Sequence, residues 1–149
     1  MLDNLQKLIT SIKAFDFGNE MEKVIVDNKD TLADLQAEQW AKGQDIYGKP
    51  IQPAYAPFTI EKKKKNTGLA AVTDHVTHFE TGELYRSLEG KVQNKEYSIE
   101  SPSFKLKAVE KRSDTNVVGL TDESKERFAE QITIPGVRKS FKAATGLSF

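Results

Sequence analysis

The chain has no cysteine. That removes disulfides, thiol catalysis and cysteine-ligated zinc, and suits a protein that folds in a reducing cytoplasm. No apolar run approaches the length of a membrane span, and the opening stretch from Met1 to Phe15 lacks the basic leader and continuous apolar core of a secretory signal. A charge surplus is missing as well. Lys plus Arg and Asp plus Glu are both 22, so the basic excess of a dedicated nucleic-acid binder is absent and little repulsion opposes self-association. There is no Gly-x-Ser-x-Gly nucleophile elbow and no glycine-rich loop leading into Lys-Ser or Lys-Thr. With 149 residues, no internal repeat and no low-complexity linker, the expectation is one domain spanning 1–149. A domain of that size buries roughly two thirds of its unfolded surface without a disulfide or metal.

What is present begins with helical spacing. Leu2, Leu5, Leu8, Ile9 and Ile12 recur at intervals of three and four, which predicts an amphipathic helix over 2–14, closed by the segment Phe15 to Asn19. From Glu20 to about Lys42, Met21, Val24, Ile25, Asn28, Leu32, Leu35 and Gln39 keep one face, with no glycine until Gly43. This predicts the longest helix of the chain. Gly43 to Pro53 carries two glycines and two prolines and reads as an irregular loop. Pro57 to Lys65 reads as a short helix with proline in its first turn.

The middle of the chain reads as extended. Val72 to Phe79 is rich in β-branched and aromatic residues, Lys91 to Gln93 and Tyr97 to Glu100 flank a polar tip like a hairpin, and Phe104 to Val109 alternates apolar with charged residues. Val117 to Leu120 is a further strand candidate. Between these, Thr81 is placed to cap a short helix carrying Leu84 and Leu88 on one face, and Thr121 to cap a helix running to about Ile132. Pro135 is expected to interrupt that helix before a last one bearing Val137, Phe141 and Ala144. The sum is an α+β domain: an antiparallel sheet of about four strands, packed with a long helix from the N-terminal half and with C-terminal helices.

Three features invite a chemical reading. Asp74-His75-Val76-Thr77-His78-Phe79-Glu80 gathers both histidines and two carboxylates, ligand types that zinc or manganese accept. On a strand, however, His75 and His78 point to opposite faces, so ordinary histidines are favoured over a metal site, and no cofactor is expected. Lys62, Lys63, Lys64 and Lys65 cannot all be buried. A solvated helix end is the favoured reading, with nucleic-acid phosphates as the alternative. Trp40 near the end of a long helix reads as a packing anchor.

Thr81-Gly82-Glu83-Leu84-Tyr85-Arg86-Ser87-Leu88 resembles the D-T-G-x-L-x-x-S-[IL] segment of tail-completion proteins of tailed phages and of the related virion morphogenesis proteins of Mu-like phages. Gly48-Lys49-Pro50-Ile51 is similar to that family's G-x-P-[LI] loop, and Gly119-Leu120-Thr121-Asp122-Glu123 to its G-L-[ST]-[DE]-E helix start. The resemblance implies a non-catalytic neck or tail-completion subunit, made in the host cytoplasm and resident in the virion. It would form a hexamer-like ring with copies of itself and touch adjacent portal, neck or tail proteins, with at most transient DNA contact and no membrane contact. A DNA-contacting adaptor and a metal-dependent enzyme stay as alternatives. The polar 43–65 segment, with Ile51, Gln52, Tyr55, Phe58 and the four lysines, and the 102–116 segment are the expected docking elements, with the N-terminal helix as a third.

Overall fold

Helix α3 (Lys29–Ala41) is the element around which the chain is arranged. The computed structural model describes all residues from 1 to 149. Ahead of α3 come α1 (Leu2–Ala14) and α2 (Phe17–Asp27), the latter capped by Asp16, whose carboxylate accepts the Asn19 N–H at 3.0 Å. The single long helix expected over 20–42 is therefore two. Asn28 leaves helical geometry at φ −119° and ψ 22°, and its side-chain amide donates to the Val24 carbonyl at 2.8 Å, closing α2 and turning the chain into α3. Phe15 is the connection, while Phe17 to Asn19 already belong to α2.

The four-stranded sheet is not there. One antiparallel hairpin forms, β1 (Glu89–Gln93) with β2 (Glu96–Glu100), pairing Glu89 with Glu100 and Gln93 with Glu96. Its tip residues Asn94 and Lys95 both have positive φ, as a tight two-residue turn requires. Gly90 lets β1 lie directly on α3, since a Cβ there would stand 2.3 Å from the Lys29 carbonyl oxygen. The segment expected as a strand at Phe104–Val109 is helix α6 (Phe104–Arg112). Ser103 caps it by accepting the Lys105 N–H, and the three-residue interval between Leu106 and Val109 puts both in the core. Val72 to Phe79 is no strand either: it bends at Asp74 and His75, turns left-handed at His78 and has no ladder partner.

Val117 to Leu120 is also no strand, because its backbone is satisfied by side chains instead. Gln36, Gln39 and Trp40 share the buried face of α3 and reach across to it. The Gln36 amide donates to Val117 O at 3.2 Å and its oxygen accepts Gly119 N–H at 2.7 Å. Gln39 donates to Gly119 O at 2.9 Å and to Asp45 O at 3.2 Å, and accepts Thr121 N–H at 2.9 Å. The Trp40 indole donates to Val117 O at 2.7 Å. Buried amide and carbonyl groups must be paired, and these side chains stand where a neighbouring strand would. Around them lies the main core, with Leu32, Leu35, Ile51, Val76, Leu84, Leu88, Ile99, Val109 and Phe128.

Pro135 does not break the C-terminal helix. The chain stays helical from α7 (Asp122–Phe128) through a π turn (Ala129–Thr133) into α8 (Ile134–Thr145). In that wider turn the Ile134 N–H reaches Ala129 O, five residues back. The π turn makes room for the proline ring and for its missing donor, which a regular helix lacks. α8 lies against α1 and α2. There Phe15, Phe17, Phe141 and Phe149 form a separate aromatic cluster with centroid distances of 4.7–6.1 Å.

Candidate docking cleft

The two segments expected to dock, 43–65 and 102–116, are not free arms. The first half of the former is tied into the core. Asp45 is buried, accepting the Tyr47 and Lys49 N–H groups at 2.9 Å and the Thr115 hydroxyl at 2.8 Å. Burial pushes its carboxyl up, but the Lys49 amide, the Thr115 hydroxyl and the Tyr47 amide outweigh that and hold it below the usual carboxylate range. Ile51 is a core residue at 3% exposure, so it cannot be an interface side chain. Asp114 N–H donates to Gln52 O at 2.9 Å, which joins the two segments to each other.

Beyond Gln52 the segments diverge and become facing walls of a cleft of about 660 Å³. One wall is Gln52 to Tyr55 with α4 (Pro57–Lys63), the other α6 and Ser113, and the floor is the strap Val76–Gly82 with α5 (Glu83–Arg86). Tyrosines fasten the strap. Tyr55 accepts the Thr77 N–H at 3.0 Å, and the Tyr85 hydroxyl donates to Thr77 O, with burial pushing the Tyr85 phenol well above its ordinary value. At the rims stand Phe58 on α4 and Phe104 on α6, 82% and 78% exposed.

The lysine run divides in a way a solvated helix end does not. Lys63 is buried; its ammonium donates to Phe79 O at 2.9 Å and lies 4.9 Å over the Tyr55 ring. Lys62 pairs with Glu80 at 3.0 Å, holding that carboxyl below its usual range, and Lys64 pairs with Glu61 at 2.7 Å. Lys63→Met, which keeps the apolar stem but orphans the Phe79 carbonyl, is expected to cost about 1–3 kcal/mol in urea unfolding. Lys62→Gln, Lys64→Gln and Lys65→Gln should each stay within about 0.5 kcal/mol. Four equal effects would contradict this division.

The motif residues are structural. Leu84, Leu88 and Leu120 are buried, and the Ser87 hydroxyl donates to Leu84 O at 2.8 Å and meets Ser101 Oγ at 2.6 Å. Thr121 caps α7 as expected, accepting Ser124 N–H at 3.1 Å, with Asp122 in the first turn. Gly119 has φ +139°, a conformation that only glycine adopts readily. Thr81 is not the cap of α5. That position is Gly82, at φ +80°, and Thr81 Oγ1 reaches the Glu83 N–H only at 3.4 Å. Gly82 faces the Phe79 ring and the Arg86 guanidinium, and no second backbone approaches it as the motif had suggested.

His75 and His78 have separate surroundings. His75 Nε2 lies 2.8 Å from Ala41 O and its Nδ1 2.8 Å from Asp74, and no group of three or more His, Cys, Asp or Glu side chains is placed to hold a metal ion. His78, at φ 54°, packs edge-on to Trp40 and lines the cleft. Its Nε2 is the one buried side-chain polar atom of the protein without a partner. Burial, and then the positive charge of Arg112, lowers its pKa to about 4. Periodicity gave no sign of His78, Tyr85, Phe104 or Arg112 as neighbours. The one available signal was that the motif Thr81–Leu88 directly follows the histidines. No helix is long and apolar enough to cross a membrane. Comparison with protein-family models, with curated proteins and with solved structures found no match.

Proposed function

We propose that this chain is a ring-forming tail-completion or head–tail joining subunit of a tailed-phage virion, acting by association and not by catalysis. The observation that carries association is α1. It has no buried residue, and although the helix packs on α8, Leu2, Leu5, Ile9 and Ile12 on its apolar face stay exposed. An apolar stripe of three turns left open to water is a surface that a partner covers. The resemblance of Thr81–Leu88 and its neighbours to tail-completion proteins supplies the class. Use of the stripe by copies of the chain itself, with neck or tail proteins at the ring's faces, fits a head-to-tail contact that closes after a fixed number of copies.

Leu5→Asp combined with Ile9→Asp should leave the thermal melt within a few degrees, because neither side chain contributes to the core. The same change should lower oligomer formation in light scattering, and incorporation into particles, by at least tenfold. Normal incorporation of the double variant would overturn the reading.

A further inference from the structure

A buried polar atom without a partner calls for an explanation, and in this protein the single case, Nε2, belongs to His78, a residue that lines the cleft. The charges of that cleft are uneven in a specific way. Lys62 is matched by Glu80 and Lys105 by Glu83 at 2.7 Å, while Lys63 is held by the Phe79 carbonyl. Arg112, at the end of α6, lines the same cleft with no ion-pair or hydrogen-bond partner, and its charge acts on His78. The cleft thus offers one free guanidinium, with the His78 ring in the lining and its unpartnered Nε2 closed off from solvent, between walls whose rims carry two exposed phenylalanines.

We propose that this cleft is a docking site for an acidic peptide segment of a neighbouring polypeptide, whose carboxylate pairs with Arg112 and acts on the His78 imidazole through its charge while an adjacent apolar side chain seats between Phe58 and Phe104. Four cations against two carboxylates give the lining the sign that attracts such a segment. Guanidinium suits a carboxylate in paired geometry, and the aromatic rims suit an apolar neighbour of it. Nucleic acid fits less well, since three of the four cations are already engaged within the chain and no row of free lysines follows the cleft. Burial, and after it the Arg112 charge, holds His78 neutral; a bound carboxylate would offset the second of these, so docking raises the His78 pKa and tightens as the pH falls toward the free value of about 4.

This inference rests on the reading of the chain as an assembly subunit, and the two fail in different experiments. The probe is a fluorescein-labelled peptide of alternating glutamate and phenylalanine, compared by anisotropy with its lysine–phenylalanine counterpart. Preferential binding of the acidic peptide by tenfold or more is expected, with an upward shift of the His78 ring titration in NMR on binding. Arg112→Gln, at an exposed position, should weaken binding at least tenfold without changing the melt. His78→Asn should remove the pH dependence of binding. Equal binding of both peptides, no effect of Arg112→Gln, or competition by duplex DNA at equal strength would overturn the proposal. So would binding of phenylacetate as tight as that of the peptide, which would make the site one for small acids. Loss of peptide binding with normal incorporation of Arg112→Gln into particles would sink the docking site and leave the assembly reading standing.

Discussion

Replacing Gln39 by leucine is expected to destabilise the protein by about 3 kcal/mol or more, although it puts a more apolar side chain of similar size into the core. Gln39 is 2% exposed, and its one amide serves three backbone groups: Asp45 O, Gly119 O and Thr121 N. Leucine would leave Gly119 O and Thr121 N without a partner in a place water does not reach, at about 1–3 kcal/mol for each, while Asp45 O keeps the Gly48 N–H at 3.0 Å. Gln36→Leu orphans one group, Gly119 N, because Val117 O keeps the Trp40 indole N–H, and should cost less. Urea unfolding of the two variants checks both size and order. A neutral Gln39→Leu would mean that the Val117–Thr121 segment is held by something other than α3.

A second large effect is expected in acid. His78 is held neutral to about pH 4 in the folded protein, while in the unfolded chain it takes up its proton near 6.5. Between those values the unfolded state binds more protons, so stability is complete above pH 6.5 and falls as the pH drops through 4. The full loss is about 3 kcal/mol from this group. Carboxylates act in a lower window. Arg127, and after it Lys42, holds Glu38 at about 2 against an ordinary 4.5, so the stability it contributes is lost as pH falls from 4.5 toward 2. Denaturant unfolding at pH 7 and pH 4.5 therefore isolates the histidine. A drop of about 2–3 kcal/mol is expected for the parent and almost none for His78→Asn, whose side chain tolerates the positive φ. An unchanged drop in the variant would assign the acid sensitivity elsewhere.

Periodicity located the helices better than it located their partners. The amphipathic spacing of Leu2 to Ile12, the polar tip at Asn94, Pro57 in a first turn and the Thr121 cap are local signals, and each element formed where its local chemistry put it. The missing strands have one common cause. A strand requires a neighbour, and the local pattern does not contain it. Phe104 to Val109 alternates, yet Leu106 and Val109 also satisfy a helical interval, and Ser103 decided between the two by capping. Val117 to Leu120 read as a strand, but the segment bends at Val118 and Gly119 and is held by Gln36, Gln39 and Trp40 of α3, a pairing that no local pattern shows. Ile51 and Lys63 failed in the same way, as residues whose burial depends on segments distant in sequence. The cleft had no signature at all, since its walls come from stretches 50 residues apart that only the fold brings face to face.

The grip of α3 on Val117–Thr121 also sets a timetable for synthesis. Its hydrogen bonds join residues 77 to 83 positions apart. At roughly 5–20 residues per second, a ribosome needs on the order of 4–16 s between completing α3 and supplying the residues that satisfy it. During that interval the nascent chain holds a formed helix with Trp40, Leu32 and two glutamines facing nothing, an apolar and hydrogen-bonding stripe open to chaperones or to another nascent copy. A chain stopped short of Val117 would never leave that condition. The first 116 residues of this protein are therefore not a folding unit, and premature termination in this region should deliver substrates for proteolysis instead of partially folded subunits.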